Sequence, residues 1–383
     1  MDRRIFIILT VAWACGACTG EDVNDGVIPL PARTVVLYMA ADNNLYGNAK
    51  KDIEELLQND APTDGNLLVY LDAPSESADP EPVLYRMETG RLLPAVRYPA
   101  HNSASGAALR KVLDDAVALF PAASYGLILW SHGTGWLPER LFDALTQQLP
   151  APAAFAPLLK SFGKDHGAEM SISELADALP VKFEYIIFDA CLMSSIEVLY
   201  QLRHKANIVV ASPSETLVDG FPYNEIMPFL FSPAIHYTDI AQRYMDYYKR
   251  KSGISRSATV AVVDLSQLEV LAAALRSLAE AGETVRRVTA SAQIQPYDRL
   301  TPSVFYDLQD CMEYAMPGAD LVGHLAKAVI YNDYTPYFLN EYAITRSCGL
   351  SVYISSGNET LDSSYQSLDW YRESQLFLAA AEN

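Results

Sequence analysis

Two stretches of the sequence contain residues that could supply a nucleophile and a base. Residues 185–202, YIIFDACLMSSIEVLYQL, place Cys191 where an apolar run ends and an amphipathic run begins. Residues 125–133, YGLILWSHG, end a second apolar run on His132 and Gly133. A thiolate can attack a carbonyl carbon, an imidazole can carry the proton, and backbone N–H groups can hold the oxyanion. If the amphipathic run is a helix, the positive end of its dipole favours the thiolate form of Cys191.

Each of these signals, taken alone, has an ordinary structural explanation. A lone cysteine after a strand more often packs in the core, because free cysteine is among the most buried residue types. Cys191 could also be a metal ligand, and a histidine before glycine is more often a loop residue. The conjunction of strand–His–Gly with strand–Asp–Ala–Cys is the stronger signal, and it indicates nucleophilic catalysis if the fold brings His132 and Cys191 together.

The elements that must position these residues alternate along the chain. Predicted strands lie at 34–41, 66–73, 82–88, 125–133, 185–189, 207–215, 258–265 and 349–356, and predicted helices at 47–58, 102–120, 171–179, 240–251 and 265–288. Strands that are apolar on both faces and alternate with helices predict a mostly parallel sheet covered by helices on both faces. Such sheets bind ligands at the carboxyl ends of their strands, where His132 and Cys191 fall. The Pro- and Ala-rich residues 137–166 are predicted to be a loop.

Composition narrows the classes of partner. The 383 residues are 50% hydrophobic and carry a formal net charge of −19, which disfavours nucleic acid because phosphate binding needs a basic surface. Past residue 18 the chain contains Cys191, Cys311 and Cys348, without a CxxC metal knuckle. One disulfide between Cys311 and Cys348 is allowed in an exported protein, and it would leave Cys191 outside the disulfide.

Residues 1–18 predict an export signal. A charged start is followed by an apolar run of about ten residues, too short to span a bilayer as a helix, and then by CGAC ending at Cys18. This ending resembles a bacterial lipobox, in which the cysteine is lipidated, although Cys15 stands where an aliphatic residue is usual. Cleavage by an ordinary signal peptidase and an uncleaved anchor are the alternatives. Residues 19–32 are predicted to be a tether, and their acidic residues resemble the surface-export signal of Bacteroidetes lipoproteins.

Seven stretches, spread from about residue 35 to residue 354, resemble the clostripain family of cysteine peptidases. They are YMAADNNL, YGLILWSHGTGWLP, SFGKDHGAEMSISELADAL, FDACLMSSIEVLYQL, ASPSE, GFPY and GLSVYI. The family belongs to the clan of caspases, legumain and gingipains, so the resemblance implies a caspase-like three-layer α/β sandwich with C-terminal additions. Residues 33–235 would then form the peptidase core, and residues 236–383 a helical region that returns strand 349–356 to the core.

The resemblance also implies an activity. His132 and Cys191 would form a catalytic dyad, Gly133 would help to hold the oxyanion, and proteins or peptides would be the substrates. No cofactor is required by this chemistry, and a calcium site would have to be assembled from scattered oxygens because no DxDxDG loop is present. Several family members are matured by a cut between the His and Cys segments, where Lys160 and Lys164 lie, but an active single chain is an equal expectation.

Clostripain-like enzymes favour Arg or Lys before the scissile bond, which requires a carboxylate at the base of the pocket. Asp189 matches the family's position two residues before the cysteine. A second acidic residue is expected on the following strand or its loop, where Glu215 and Asp219 both qualify. Asp42 is interpreted as an Asx-turn or helix-cap residue instead.

Other functions fit the sequence less well. A serine-hydrolase elbow fails because Leu129 stands where G-x-S-x-G needs glycine, and a zinc hydrolase lacks HExxH or clustered His and Cys pairs. The main alternative is a catalytically retired surface lipoprotein that acts as a binding or adhesion module. The presence of both His132 and Cys191 argues against this alternative.

Overall fold

The structure is a computed structural model that describes residues 30–146, 159–160, 170–232, 236–281 and 293–380. The predicted export signal with Cys18, the first part of the predicted tether, and Lys164 lie outside the described residues. Among the described residues, no helix is both long and apolar enough to cross a membrane.

The described strands, in chain order, are β1 (Arg33–Ala40), β2 (Gly65–Asp72), β3 (Val83–Glu88), β4 (Arg91–Arg97), β5 (Ser124–Trp130), β6 (Leu159–Lys160), β7 (Phe183–Asp189), β8 (Ala206–Ala211), β9 (Thr216–Leu217), β10 (Thr259–Asp264), β11 (Phe305–Asp307), β12 (Val329–Tyr334), β13 (Tyr337–Phe338), β14 (Tyr342–Ala343) and β15 (Ser351–Tyr353). Nine of them form one sheet in the order β12-β10-β8-β7-β5-β1-β2-β3-β4. The central run β8-β7-β5-β1-β2 is parallel, and the pairs at both edges are antiparallel. The carboxyl ends of β5 and β7 are therefore neighbours at one edge of the sheet.

The described helices, in chain order, are α1 (Tyr46–Leu56), α2 (Gly106–Leu119), α3 (Glu139–Thr146), α4 (Ile172–Ala178), α5 (Ile196–Gln201), α6 (Tyr223–Leu230), α7 (Tyr237–Lys249), α8 (Leu268–Glu280), α9 (Leu308–Ala315), α10 (Val322–Ala328), α11 (Glu359–Gln366) and α12 (Asp369–Ser374). They cover both faces of the sheet. Successive residues of each strand point to opposite faces, so each strand contributes side chains to two separate cores. Val35 and Leu37 of β1 share a core with α1, α6 and α7, whereas Val36 and Tyr38 share the other core with α2, α4 and α5. The predicted three-layer sandwich is confirmed.

The residues after 235 contribute to the same framework. Strands β10 and β12 extend the main sheet beyond β8, and residues Pro31–Asn383 form one compact unit. The strand predicted at 349–356 is observed only at Ser351–Tyr353, where it pairs with β11 and lies outside the main sheet. The prediction of a loop throughout residues 137–166 is wrong, because α3 and the two-residue β6 lie within it.

Candidate active site

The sheet brings the two predicted chemical segments together. In the parallel pair of β5 and β7, Trp130 is in register with Asp189, so that His132 and Cys191 each follow two residues later at the same edge. The two turns are in direct contact, since a Cβ added to Gly133 would overlap the carbonyl oxygen of Cys191 and lie 2.9 Å from its nitrogen. Only glycine fits here. The side chains of His132 and Cys191 are 5% and 2% exposed, so both are buried in this structure.

The expectation that Cys191 begins a helix is wrong. Helix α5 begins at Ile196, capped by Ser195, whose hydroxyl accepts from the Val198 N–H at 3.4 Å. The intervening turn includes Leu192 in the left-handed region, with φ of 63°. This turn lies between Cys191 and the α5 N-terminus, so Cys191 is not in the first turn of the helix.

A neighbouring strand interacts with the sulfur instead. The backbone N–H of Thr216, the first residue of β9, donates to Cys191 Sγ at 3.0 Å, and its carbonyl oxygen lies 3.5 Å from the same atom. An N–H that points at sulfur favours its negatively charged form, because charge-assisted hydrogen bonds are stronger than neutral ones. Thr216 therefore contacts the sulfur through one backbone donor and one backbone acceptor, where the sequence had predicted a helix N-terminus.

His132 is oriented by a loop that follows a different strand. Its Nε2 lies 2.8 Å from Asn44 Oδ1, in the turn after β1. Asn43 rigidifies this turn, because its side-chain oxygen accepts from the Leu45 N–H and its amide donates to the Ala40 carbonyl, each at 2.9 Å. The residue that contacts the histidine therefore lies within the YMAADNNL stretch but was not singled out from the sequence.

Asp189 lies beneath the two turns and is fully buried. Its Oδ2 accepts from the hydroxyl of Tyr223 at 3.0 Å and from the N–H of Phe221 at 3.4 Å. The ring of Phe221 packs against that of Tyr244 with centroids 4.4 Å apart. A buried carboxylate close to aromatic side chains can interact strongly with a cationic side chain.

The two further acidic candidates lie in different surroundings. Glu215 forms a two-bond ion pair with Arg299, whose Nε and Nη2 lie 2.8 and 2.9 Å from its two oxygens. Asp219 is partly exposed, is paired with Lys251, and lies two residues before the Phe221 N–H that reaches Asp189. The charge of Glu215 is therefore balanced within the fold, and Asp219 lies on the turn that contacts Asp189.

A fourth carboxylate, absent from the sequence interpretation, lies near Asp189 and Asp219. Glu55 of α1 accepts from the backbone N–H of Tyr223 at 3.1 Å. Burial raises the pKa of Glu55 above its ordinary value, although the Tyr223 N–H lowers it. The charges of Asp219 and Asp189 also raise this pKa, and the charge of Lys251 lowers it. These four charged groups therefore interact electrostatically as one cluster.

The turn that carries Cys191 is also held from the C-terminal side of the chain. The Ser351 N–H donates to the Ser194 carbonyl at 3.0 Å, and the Ser194 hydroxyl donates to the Gly349 carbonyl at 2.7 Å. One turn further on, Glu197 Oε1 accepts from the Tyr353 N–H at 2.9 Å. The C-terminal segment therefore supports the turn that positions the sulfur.

The sequence left open one disulfide and a calcium site. The disulfide allowed between Cys311 and Cys348 is not formed, and burial raises the pKa of each of these thiols well above its ordinary value. In the part of the chain that the structure describes, no group of three or more His, Cys, Asp or Glu residues could hold a metal ion. Calcium dependence stays a prediction.

A mostly parallel sheet between two helical layers, with a cysteine and a histidine on adjacent carboxyl ends, defines the class of cysteine peptidases with a caspase-like fold. The profile of the Clostripain family matches residues 37–377. The chain therefore belongs to the clostripain family.

The chain is similar in sequence or structure to several known cysteine proteases. Clostripain of Hathewaya histolytica is 29% identical over 224 residues, a match that spans 50% of this chain and 41% of that protein. An inactive zymogen C11 protease from Parabacteroides distasonis superposes with a TM-score of 0.75 and 31% identity, covering 91% of this chain and 99% of that one. A secreted C11 cysteine protease from Bacteroides thetaiotaomicron, in complex with an irreversible peptide inhibitor, gives a TM-score of 0.73 and 28% identity, with 90% and 99% covered.

Proposed function

We propose that this chain hydrolyses peptide bonds through a Cys191–His132 dyad. The observation that carries the proposal is the contact of the Gly133 turn with the Cys191 backbone at the adjacent ends of β5 and β7. The Cys191 thiolate attacks the scissile carbonyl carbon, and the N–H groups of Gly133 and Cys191 hold the oxyanion. His132 protonates the leaving amine and then takes a proton from the water that hydrolyses the thioester.

Asn44 supports this chemistry by fixing the imidazole. When its Oδ1 accepts a hydrogen bond from Nε2–H, the neutral ring carries its proton on Nε2 and keeps Nδ1 basic. The hydrogen bond also restrains rotation of the His132 ring. Asn44 is therefore a positioning residue in this mechanism.

Activity would require the buried sulfur to become accessible. Strand β6 pairs with β9, with Lys160 opposite Thr216, the residue whose N–H contacts the sulfur. Residues Leu159–Lys160, which lie between the His and Cys turns in the chain, thus pair with the strand beside the nucleophile, where an extended substrate could otherwise pair. Cleavage at Lys160 or Lys164 would release this segment, and the relative from Parabacteroides distasonis is described as an inactive zymogen.

The acidic cluster supports cleavage after Arg or Lys. Asp189 supplies the buried carboxylate. Asp219 is the better of the two second candidates, because it lies on the turn whose Phe221 N–H contacts Asp189 and its ion pair with Lys251 is more exposed than that of Glu215 with Arg299. Asp219→Asn should lower kcat/KM for peptides with Arg before the scissile bond and leave peptides with the neutral isostere citrulline unchanged. An equal loss for both peptides would contradict the assignment of this carboxylate.

The decisive experiment is covalent labelling with a thiol-reactive peptidyl probe that carries Arg at its recognition position, followed by cleavage profiling of a peptide library. We expect labelling and cleavage by the wild type, loss of both in Cys191→Ala, and retention in Cys311→Ala, which removes a matched buried thiol. A wild type that stays unlabelled, also after a cut between residues 146 and 170, would support the binding module instead.

Export belongs to the same proposal, because the relative from Bacteroides thetaiotaomicron is described as secreted. Lipidation at Cys18 is proposed from the lipobox-like CGAC ending alone. The lipid would be the chain's one attachment to a bacterial outer membrane or cell surface. Metabolic labelling with a palmitate analogue should mark the wild type and not Cys18→Ala. An unlabelled, trimmed N-terminus would indicate ordinary signal-peptidase cleavage with a periplasmic or secreted product.

A further inference from the structure

A lysine of the chain already occupies the acidic turn assigned to the substrate's cation. Lys251 follows α7, its side chain is mostly buried, and its Nζ is paired with the carboxylate of Asp219. The same ammonium lies 4.1 Å from the ring centroid of Tyr247 and 5.3 Å from that of Tyr248. A carboxylate and two aromatic faces are the groups that hold a cationic side chain in a binding pocket.

The position of Lys251 is fixed by contacts on both sides. The hydroxyl of Tyr248 donates to the carbonyl of Gly220 at 2.9 Å, which ties the end of α7 to the turn that carries Asp219. The next residue of this turn, Phe221, donates its N–H to Asp189. The Lys251–Asp219 pair therefore lies at the turn that joins the two pocket carboxylates.

Lys251 is charged at neutral pH. Burial lowers its pKa, but hydrogen bonds to Asp219 and Tyr247 raise it more, so the pKa lies above its ordinary value. Its positive charge acts as far as Glu55, whose pKa it lowers against the effect of Asp219. A substrate cation that enters the cluster therefore meets a carboxylate whose charge is already partly balanced.

We propose that Lys251 is a specificity-determining residue, a resident counter-ion that the Arg or Lys side chain of a substrate must displace from Asp219. This proposal rests on the proposed function of the site. Displacement costs part of the ion-pair energy that binding gains, so Lys251 lowers the affinity for cationic side chains. It has no such effect on neutral side chains, and it therefore reduces the selectivity of the pocket.

The test compares Lys251→Met with the wild type on paired peptides that carry Arg or citrulline before the scissile bond. A partly exposed ion pair is worth up to ~1 kcal/mol, which corresponds to about a fivefold change. We expect kcat/KM for the Arg peptide to rise about fivefold and that for the citrulline peptide to stay unchanged. Lys249→Met is the matched control, because it removes a lysine of the same helix end that pairs with Asp333.

An unchanged or lower kcat/KM for the Arg peptide in Lys251→Met, with an unchanged melting temperature, would overturn the proposal. An equal rise of kcat/KM for the Arg peptide in Lys249→Met would also overturn the proposal. Calorimetric binding of acetyl-arginine amide in the Cys191→Ala background separates this proposal from the activity. A wild type that cleaves no peptide would refute the proposed function. Tighter binding of acetyl-arginine amide after Lys251→Met would still support the role of Lys251 as a counter-ion. Equal binding with and without Lys251→Met, or no binding in either protein, would refute that role.

Discussion

Burial of Glu197, beside the turn that carries the nucleophile, makes the stability of the fold depend on pH. Its side chain is 0% exposed, Oε1 accepts from the Tyr353 N–H, and Oε2 has no hydrogen-bond partner among the described residues. Burial raises the pKa of Glu197 from its ordinary value of 4.5 to about 7, because the N–H of Tyr353 and the other hydrogen bonds offset only part of the desolvation.

The two pKa values give the size and sign of the effect. A carboxyl that ionises at 4.5 in the unfolded chain and at about 7 in the folded chain changes the free energy of unfolding by about 3 kcal/mol. The folded state binds the extra proton between these values. This stability is therefore fully present below pH 4.5, is lost as the pH rises to about 7, and does not change further above that.

Glu197→Gln removes the titrating proton while keeping the shape of the side chain. We expect the difference in unfolding free energy between the variant and the wild type to shift by about 3 kcal/mol in favour of the variant between pH 4.5 and pH 8. Denaturant titrations of both proteins at several pH values measure this difference in unfolding free energy. Burial also raises the pKa of Asp298 to about 7, so the difference between the two proteins, rather than the wild-type profile, isolates Glu197.

Glu54→Gln, on the exposed face of α1, controls for the loss of one carboxylate. A difference between Glu197→Gln and the wild type that stays constant across this pH range would refute the reasoning. It would mean that the folded chain leaves this carboxylate as well solvated as the unfolded chain does.

Three further substitutions test the geometry of the site. Asn44→Ala should lower kcat about tenfold and the melting temperature by only a few degrees, because the imidazole loses one orienting hydrogen bond of ~1.4 kcal/mol. Gly133→Ala should lower kcat/KM about a hundredfold, since the new Cβ must push the Cys191 backbone aside. Glu215→Gln should lower the free energy of unfolding by about 2 kcal/mol in denaturant titrations and leave the preference for Arg peptides unchanged, because the mostly buried Arg299 then keeps only the longer pair with Glu341, at 3.5 Å.

Each of these predictions has an outcome that contradicts it. An unchanged kcat in Asn44→Ala would remove its positioning role, and full activity in Gly133→Ala would mean that the turns are further apart. Gly47→Ala is the matched glycine control, because an added Cβ meets nothing within 4 Å there. Asp333→Asn, which breaks a more exposed ion pair, should cost no more than ~1 kcal/mol, and an equal loss in Glu215→Gln would contradict the buried-pair argument.

The elements that carry the site could be predicted from the sequence. The strand predicted at 34–41 is observed at Arg33–Ala40, and the helix predicted at 171–179 is observed at Ile172–Ala178, capped by the Ser171 hydroxyl. Both signals are local, since a strand buried on two faces needs an unbroken apolar run and a helix start needs an acceptor for its first N–H groups. The placement of His132 and Cys191 at strand ends follows from the same runs.

Predictions from local sequence patterns were wrong at positions where contacts between distant parts of the chain decide the local structure. The apolar residues after Cys191 read as a helix from the start, but the turn instead bonds to the segment around Ser351. The Pro- and Ala-rich composition of 137–166 concealed α3 and β6. The spacing of Cys311 and Cys348 allowed a disulfide that the fold does not form.

The sequence by itself therefore determined the alternation of the central strands with their helices and the positions of His132 and Cys191 just after two of those strands, because both depend on short-range periodicity. Only the tertiary structure decided which groups surround them. Asn44 is 88 positions from His132, and Arg299 is 84 positions from Glu215. No periodicity encodes such pairs, since they form only when the packed sheet and its loops bring distant side chains within hydrogen-bond distance.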